Sequence, residues 1–193
     1  MPHLESLKNG TLFDVFLQYP KYSESLHLFL EDLLRGPSPF TVAERELIAG
    51  YVSGLNKCTF CCSVHAGLAE KLGHWDNLVG RFLVDSPFEP ENPKLLPILA
   101  YVRKLTLAID SVGESDVTAI IDAGWCEEAV VQANLICGVF NLFNRWVTGL
   151  GVTGEDAFVK GTIKQLIAGS YLGVNKMVAE ILNTKKPRDF RAA

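Results

Sequence analysis

The sequence has no excess of basic residues and no long apolar run, and each absence excludes a class of protein. Its 18 Lys and Arg residues are scattered among 22 Asp and Glu residues, and the formal net charge is −4. This leaves no basic patch for nucleic acid. The most apolar stretch, residues 129–139, is interrupted by Gln132 and Asn134 and is too short to cross a bilayer. Neither nucleic acid nor a membrane is therefore expected as a partner.

The sequence also lacks the marks of a secreted protein. The N-terminus is neither basic nor followed by an apolar segment, so no signal peptide is predicted. The chain has five cysteines, an odd number, and three of them lie within five positions of one another, unlike a secreted disulfide framework. A reducing cytoplasm is the expected setting, where a Cys-X-X-Cys pair indicates transient oxidation.

Helical spacing of apolar residues dominates the chain, with no repeat and no strand-like alternation of useful length. The 193 residues predict one all-α domain, 1–193, with an N-terminal arm at 1–20 and a basic, frayed tail at 185–188. A break is predicted near Gly169 or Gly173 in the last helical region. Hydrophobic residues make up 48% of the chain, which favours a homo-oligomer with apolar subunit interfaces.

Residues 41–72 hold the most informative pattern, which we interpret as two consecutive helices. Thr41 is the predicted N-cap of the first, completed by a glutamate three residues later. That helix is expected to end near Ser53, with Gly54 in the left-handed position beyond it. Asn56 is the predicted N-cap of the second helix, which places Cys58 in its first turn.

A cysteine in the first turn of a helix has chemical consequences. Unpaired N–H groups and about half a positive charge there favour a thiolate over a thiol. Cys58, Cys61, Cys62 and His65 fall within one half of the helix circumference, so Cys58 and Cys61 can form a disulfide. Glu46 meets them if the two helices pack side by side. Together these groups predict a dithiol redox centre.

The pattern formed by Glu46, Cys58, Cys61 and His65 resembles the AhpD-like alkylhydroperoxidases of the carboxymuconolactone decarboxylase superfamily. The segment Asn141-Leu-Phe-Asn-Arg, with Gly149-Leu-Gly-Val after it, resembles the Asn-rich helix end of the peroxidase-related branch. The resemblance implies an all-α, single-domain bundle of about eight to ten helices. It also implies a homo-oligomer, as a dimer, trimer or hexamer.

The resemblance implies a thiol-dependent peroxidase that needs no cofactor or metal. Cys61 would attack a small hydroperoxide, Cys58 would close the disulfide, and an external dithiol would reduce it again. Glu46 and His65 would form the proton relay. This chain has Phe60 where the best-characterised members have a histidine, which leaves a shorter relay.

Other interpretations stay open beside the peroxidase. Cys62 is an additional thiol that either competes as resolver or packs in the core. A metal site would use these cysteines and His65, although structural zinc normally needs four ligands from two separated pairs. A third alternative is a non-catalytic helical oligomer whose cysteines sense redox state or fill the core. Cys126 and Cys137 are expected in the core, and His27 at the surface or an interface.

Overall fold

The structure is a computed structural model that describes residues 2–7 and 10–184. Within these residues all regular elements are helical, which confirms the predicted all-α class. The α-helices are α1 (Leu12–Gln18), α2 (Pro20–Arg35), α3 (Val42–Leu55), α4 (Thr59–Gly73), α5 (Leu78–Leu83), α6 (Leu95–Leu107), α7 (Glu114–Asp122), α8 (Glu127–Gly149) and α9 (Asp156–Thr184). No helix among them is long and apolar enough to cross a membrane.

The chain divides into two compact units, Met1–Arg35 with Val147–Ala193, and Gly36–Trp146. One continuous domain over 1–193 therefore stays a prediction. Within the described part of the 1–20 arm, the longest helix is α1. The predicted basic tail at 185–188 lies outside the described residues.

In the first unit, α2 packs against α9. The interruption predicted near Gly169 or Gly173 is found at Ser170, which has a non-helical backbone with φ 54°. The carboxylate of Glu31 accepts the backbone N–H groups of Tyr171 at 3.0 Å and Leu172 at 3.3 Å, and so caps the helix where it restarts.

His27 also belongs to this unit, and the expectation that it lies at the surface or an interface is wrong. The residue is only 3% exposed, and its Nδ1 lies 2.8 Å from Oδ1 of Asn175. Burial lowers the pKa of His27, because desolvation disfavours the charged imidazolium. The amphipathic pattern of α2 could not predict the burial of His27, because the helix that contacts it, α9, is distant in sequence.

In the second unit, α3 and α4 are the most extensively packed pair of helices. The capping box predicted at Thr41 is present. The Thr41 hydroxyl accepts the N–H of Glu44 at 3.2 Å, and the Glu44 carboxylate accepts the N–H of Thr41 at 2.8 Å. The two backbones approach closely at Gly50, where an added Cβ would lie 2.6 Å from the backbone nitrogen of Ala66.

The left-handed position predicted at Gly54 was wrong, and the reason lies in a tertiary contact. The helix continues to Leu55, and Gly54 is helical rather than left-handed. A Cβ at Gly54 would lie only 2.5 Å from the carbonyl oxygen of Phe82 on α5, so this glycine is required by close packing. The left-handed position belongs instead to Lys57, with φ 57°.

The predicted start of α4 was also wrong. Asn56 is the C-cap of α3, and Cys58 itself is the N-cap of α4. The N–H of Lys57 donates to the carbonyl of Gly54 at 2.9 Å, and the N–H of Cys58 donates to the carbonyl of Ser53 at 3.0 Å. This pair of hydrogen bonds is a Schellman motif, which turns the chain directly from one helix into the next.

The contact at Gly50 makes a prediction about stability. Gly50→Ala is expected to lower the free energy of unfolding by about 1–3 kcal/mol, because the new methyl group has no space against α4. Urea denaturation followed by circular dichroism measures the change.

The matched control is Gly138→Ala on α8, where an added Cβ would have no atom within 4 Å. This variant should be neutral or stabilised by up to about 1 kcal/mol, since alanine is the better helix former. Equal stability of the two variants would contradict the close approach of α3 and α4.

Candidate active site

Cys58 and Cys61 form a pair of thiols at the start of α4. The two residues lie 3.1 Å apart, and their side chains share a hydrogen bond. Neither cysteine is in a disulfide, and the residues are only 3% and 4% exposed. A disulfide between these two residues would bring their sulfurs to about 2.05 Å of each other.

Glu46 and His65 form a second pair, which joins α3 to α4. Oε2 of Glu46 lies 2.6 Å from Nδ1 of His65. Glu46 is fully buried, His65 is 9% exposed, and the ring of Phe140 packs edge-on against the imidazole. When Glu46 is ionised its carboxylate only accepts, so Nδ1 then carries the proton and Nε2 is the nitrogen that can take up another.

All four residues predicted for the site thus lie on the helix pair α3–α4, as two hydrogen-bonded pairs. The hydrogen bond described for His65 is the one with Glu46. Cys61 and His65 are one helical turn apart on α4, where side chains four positions apart share a face. The relay through His65 therefore stays a prediction.

Asn144 on α8 is a further polar residue at the thiols, and it was not among the predicted site residues. It is 2% exposed and its side chain is hydrogen-bonded to that of Cys61. Nδ2 of Asn144 also donates to Oγ of Ser53 at 3.0 Å. The sequence signal was an asparagine on a helix that is apolar nearly all round, which requires buried partners.

The surroundings of the thiols set their reactivity. The hydrogen bond with Cys58 and the burial of the site raise the pKa of Cys61 well above its usual range, whereas the hydrogen bond with Asn144 lowers it. Burial, with smaller contributions from the charges of Cys58 and Glu70, raises the pKa of Cys62 to about 12. Each of these effects opposes ionisation of Cys62, whereas Asn144 favours that of Cys61, so packing is the favoured role of Cys62.

The remaining cysteines lie apart from this site. Cys137 is buried as expected, and burial raises its pKa. Cys126 is exposed, so its expected place in the core was wrong, because it precedes the first residue of α8. Among residues 2–7 and 10–184, no three His, Cys, Asp or Glu side chains are arranged to hold a metal ion, so the metal-site alternative gains no support.

No protein-family model matches the sequence, and neither does any curated protein. Solved structures do match. An uncharacterized peroxidase-related protein from Silicibacter sp. TM1040 is similar with a TM-score of 0.63 and 22% identity, over 70% of this chain and 71% of that one. The alkylhydroperoxidase AhpD core of an uncharacterized peroxidase-related protein from Ralstonia eutropha JMP134 is similar with a TM-score of 0.67 and 20% identity, over 77% of this chain and 78% of that one.

The chain has the AhpD-like fold. The resemblance seen in the spacing of Glu46, Cys58, Cys61 and His65 is thus confirmed at the level of the fold. At 20–22% identity the likeness extends to the fold alone.

The surroundings of Cys62 make a prediction about its reactivity. With a pKa of about 12, roughly one Cys62 thiol in ten thousand is ionised at pH 8. Iodoacetamide is therefore expected to leave Cys62 unmodified in the native protein at pH 8. Its reactivity should keep rising with pH beyond pH 10, because the thiolate form still increases there.

Peptide mapping by mass spectrometry measures this, with the exposed Cys126 as internal control. Modification of Cys62 as fast as Cys126 would show that its surroundings do not suppress the thiolate.

Proposed function

We propose that the protein is a thiol-dependent peroxidase that reduces a small hydroperoxide with the Cys58–Cys61 pair. The observation that carries the proposal is that Cys58 and Cys61, two free cysteines at the start of one helix, lie 3.1 Å apart and share a side-chain hydrogen bond. The buried Glu46–His65 pair on the same two helices supports it, since a proton must be moved at each step.

In the first step the Cys61 thiolate attacks the terminal oxygen of the hydroperoxide. An S–O bond forms, the O–O bond breaks, and the departing alkoxide takes up a proton and leaves as the alcohol. The sulfur is oxidised by two electrons to a sulfenic acid, and the hydroperoxide is reduced by the same two electrons.

In the second step Cys58 attacks the sulfur of the Cys61 sulfenic acid. The S–S bond forms, the S–O bond breaks, and the hydroxyl group leaves as water with the proton of the Cys58 thiol. An external dithiol then reduces the disulfide by thiol–disulfide exchange and becomes a disulfide itself.

His65 is the proposed proton carrier for these steps. Its Nε2 can take up a thiol proton, while Glu46 holds Nδ1–H at 2.6 Å and stabilises the imidazolium that results. Phe60 is buried and has no group that exchanges a proton, so the relay ends at His65.

A reducing cytoplasm and a homo-oligomer complete the proposal. The cytoplasm would supply the dithiol that resets the enzyme. Oligomerisation is supported by large apolar side chains on α8 that are exposed in this chain: Val131 at 57%, Leu135 at 42% and Leu142 at 47%.

A redox-sensing, non-catalytic oligomer is the second candidate, and the burial of both thiols favours it. A sensor and a peroxidase differ in selectivity for the oxidant. A disulfide that forms no faster with a hydroperoxide than with a generic thiol oxidant would favour the sensor.

The proposal predicts that the reduced protein consumes cumene hydroperoxide in stoichiometry with its dithiol. Cys61→Ser is expected to abolish consumption, because it removes the attacking sulfur. Glu46→Gln is expected to slow it by roughly a hundredfold, since the imidazolium loses its carboxylate. Stopped-flow assay of the remaining hydroperoxide measures both changes.

Cys62→Ser is the matched control, because it removes the neighbouring buried thiol and leaves both sulfurs of the pair in place, and it should not lose activity. Retention of activity in Cys61→Ser would rule out the proposed mechanism.

A further inference from the structure

A chain of side-chain hydrogen bonds leads from Arg145, at the surface, to the thiols. NH1 of Arg145 lies 2.7 Å from Oδ1 of Asn141. Nδ2 of Asn56 lies 3.1 Å from that same oxygen and 2.9 Å from Oδ1 of Asn144. Asn144 in turn contacts Cys61. Since each amide has one accepting and one donating end, the chain has a direction that its two ends determine.

Asn141 is oriented by two partners whose hydrogen-bonding roles are fixed. The guanidinium of Arg145 can only donate, so the atom of Asn141 that faces it must be the oxygen. On its other side Asn141 faces the backbone carbonyl of Cys137 at 3.0 Å, which can only accept and therefore requires Nδ2. The orientation of this amide is thus fixed from both ends.

The orientation of Asn141 determines the orientations of Asn56 and Asn144. Because Asn141 offers an oxygen, Asn56 must present its Nδ2 there. The same Nδ2 donates to Asn144, so the atom of Asn144 that faces Asn56 is the oxygen. Nδ2 of Asn144 consequently lies on the opposite side, toward Ser53 and Cys61.

Ser53 uses only one of the two N–H bonds of Asn144. The serine hydroxyl donates to the carbonyl of Ala49 at 2.8 Å, and its oxygen accepts from Nδ2 of Asn144 at 3.0 Å. The second N–H remains for the sulfur of Cys61. Ser53 and Asn144 are 0% and 2% exposed, so water does not compete for these groups.

We propose that Asn144 is a catalytic residue whose side-chain N–H, oriented by Asn56 and Ser53, stabilises negative charge on the sulfur of Cys61. In the reduced protein the Asn144 N–H stabilises the Cys61 thiolate, and this role does not depend on peroxide. After oxidation it stabilises the sulfenate on the same sulfur, and that second role rests on the proposed peroxidase function.

The proposal distinguishes the two sulfurs of the pair. Cys58 and Cys62 are the titratable groups that act on Cys61, and the charges of both oppose its ionisation. The hydrogen bond with Cys58 opposes it as well, whereas the hydrogen bond with Asn144 favours it. In the proposal, Asn144 therefore selects Cys61 as the attacking sulfur, even though Cys58 occupies the N-cap.

The test compares the pH dependence of Cys61 alkylation by iodoacetamide in the wild type and in Asn144→Leu, which keeps the shape of the side chain. The modified sulfur is located by tandem mass spectrometry. Because hydrogen bonds to charged groups are strong, the variant is expected to react about ten- to a hundredfold more slowly at pH 7, with the profile displaced to higher pH. A profile that superimposes on that of the wild type would overturn the proposal.

Asn134→Leu is the matched control on the same helix. Asn134 donates to the hydroxyl of Tyr101 at 2.9 Å and lies outside the chain of amides, so its loss should leave the Cys61 profile unchanged.

A second measurement uses the wild type, in case Asn144→Leu does not fold. The nuclear magnetic resonance signals of the Asn144 side-chain amide should shift with the ionisation of Cys61, and this shift should vanish in Cys61→Ser. An amide that does not respond in the wild type would contradict the assignment. Neither readout requires peroxide turnover, so failure of the proposed function would leave this inference separately testable.

Discussion

Ser53 makes the two hydrogen bonds on which the geometry of the site depends. Its backbone carbonyl accepts the N–H of Cys58 at 3.0 Å, and this bond fixes where α4 begins. Its hydroxyl accepts the side-chain N–H of Asn144 at 3.0 Å, and this bond fixes the residue of α8 that contacts Cys61. This buried serine at the end of α3 therefore positions both Cys58 and the Asn144 amide that contacts Cys61.

The site places several polar groups in an otherwise apolar interior, and each has a partner. Glu46 is paired with His65, and Asn144 is satisfied by Ser53, Asn56 and Cys61. An unsatisfied buried group of this kind would cost about 1–3 kcal/mol. The pairing makes the arrangement rigid, because a shift of one partner leaves another without a hydrogen bond. Such rigidity suits a site where two sulfurs must meet without reorganising the helices.

Much of the fold and of the candidate site could be predicted from local sequence. The capping box at Thr41 and the proximity of Cys58 and Cys61 both follow from spacings along a helix, and Glu46 was expected to meet the motif once the two helices packed side by side. The details that failed depend on contacts distant in sequence. Gly54 has to be a glycine because α5 packs against it, and the left-handed turn moves to Lys57 as a result. The role of Asn144 could not be read locally, since the partners that orient it lie about ninety residues earlier.

The most direct test of this account is to identify which cysteines become linked when the reduced protein receives one equivalent of hydroperoxide. Peptide mapping under non-reducing conditions makes this measurement. The account predicts a single disulfide between Cys58 and Cys61, with Cys62 and Cys137 still reduced. A link that involves Cys62, or a protein whose thiols all survive the hydroperoxide, would contradict the account.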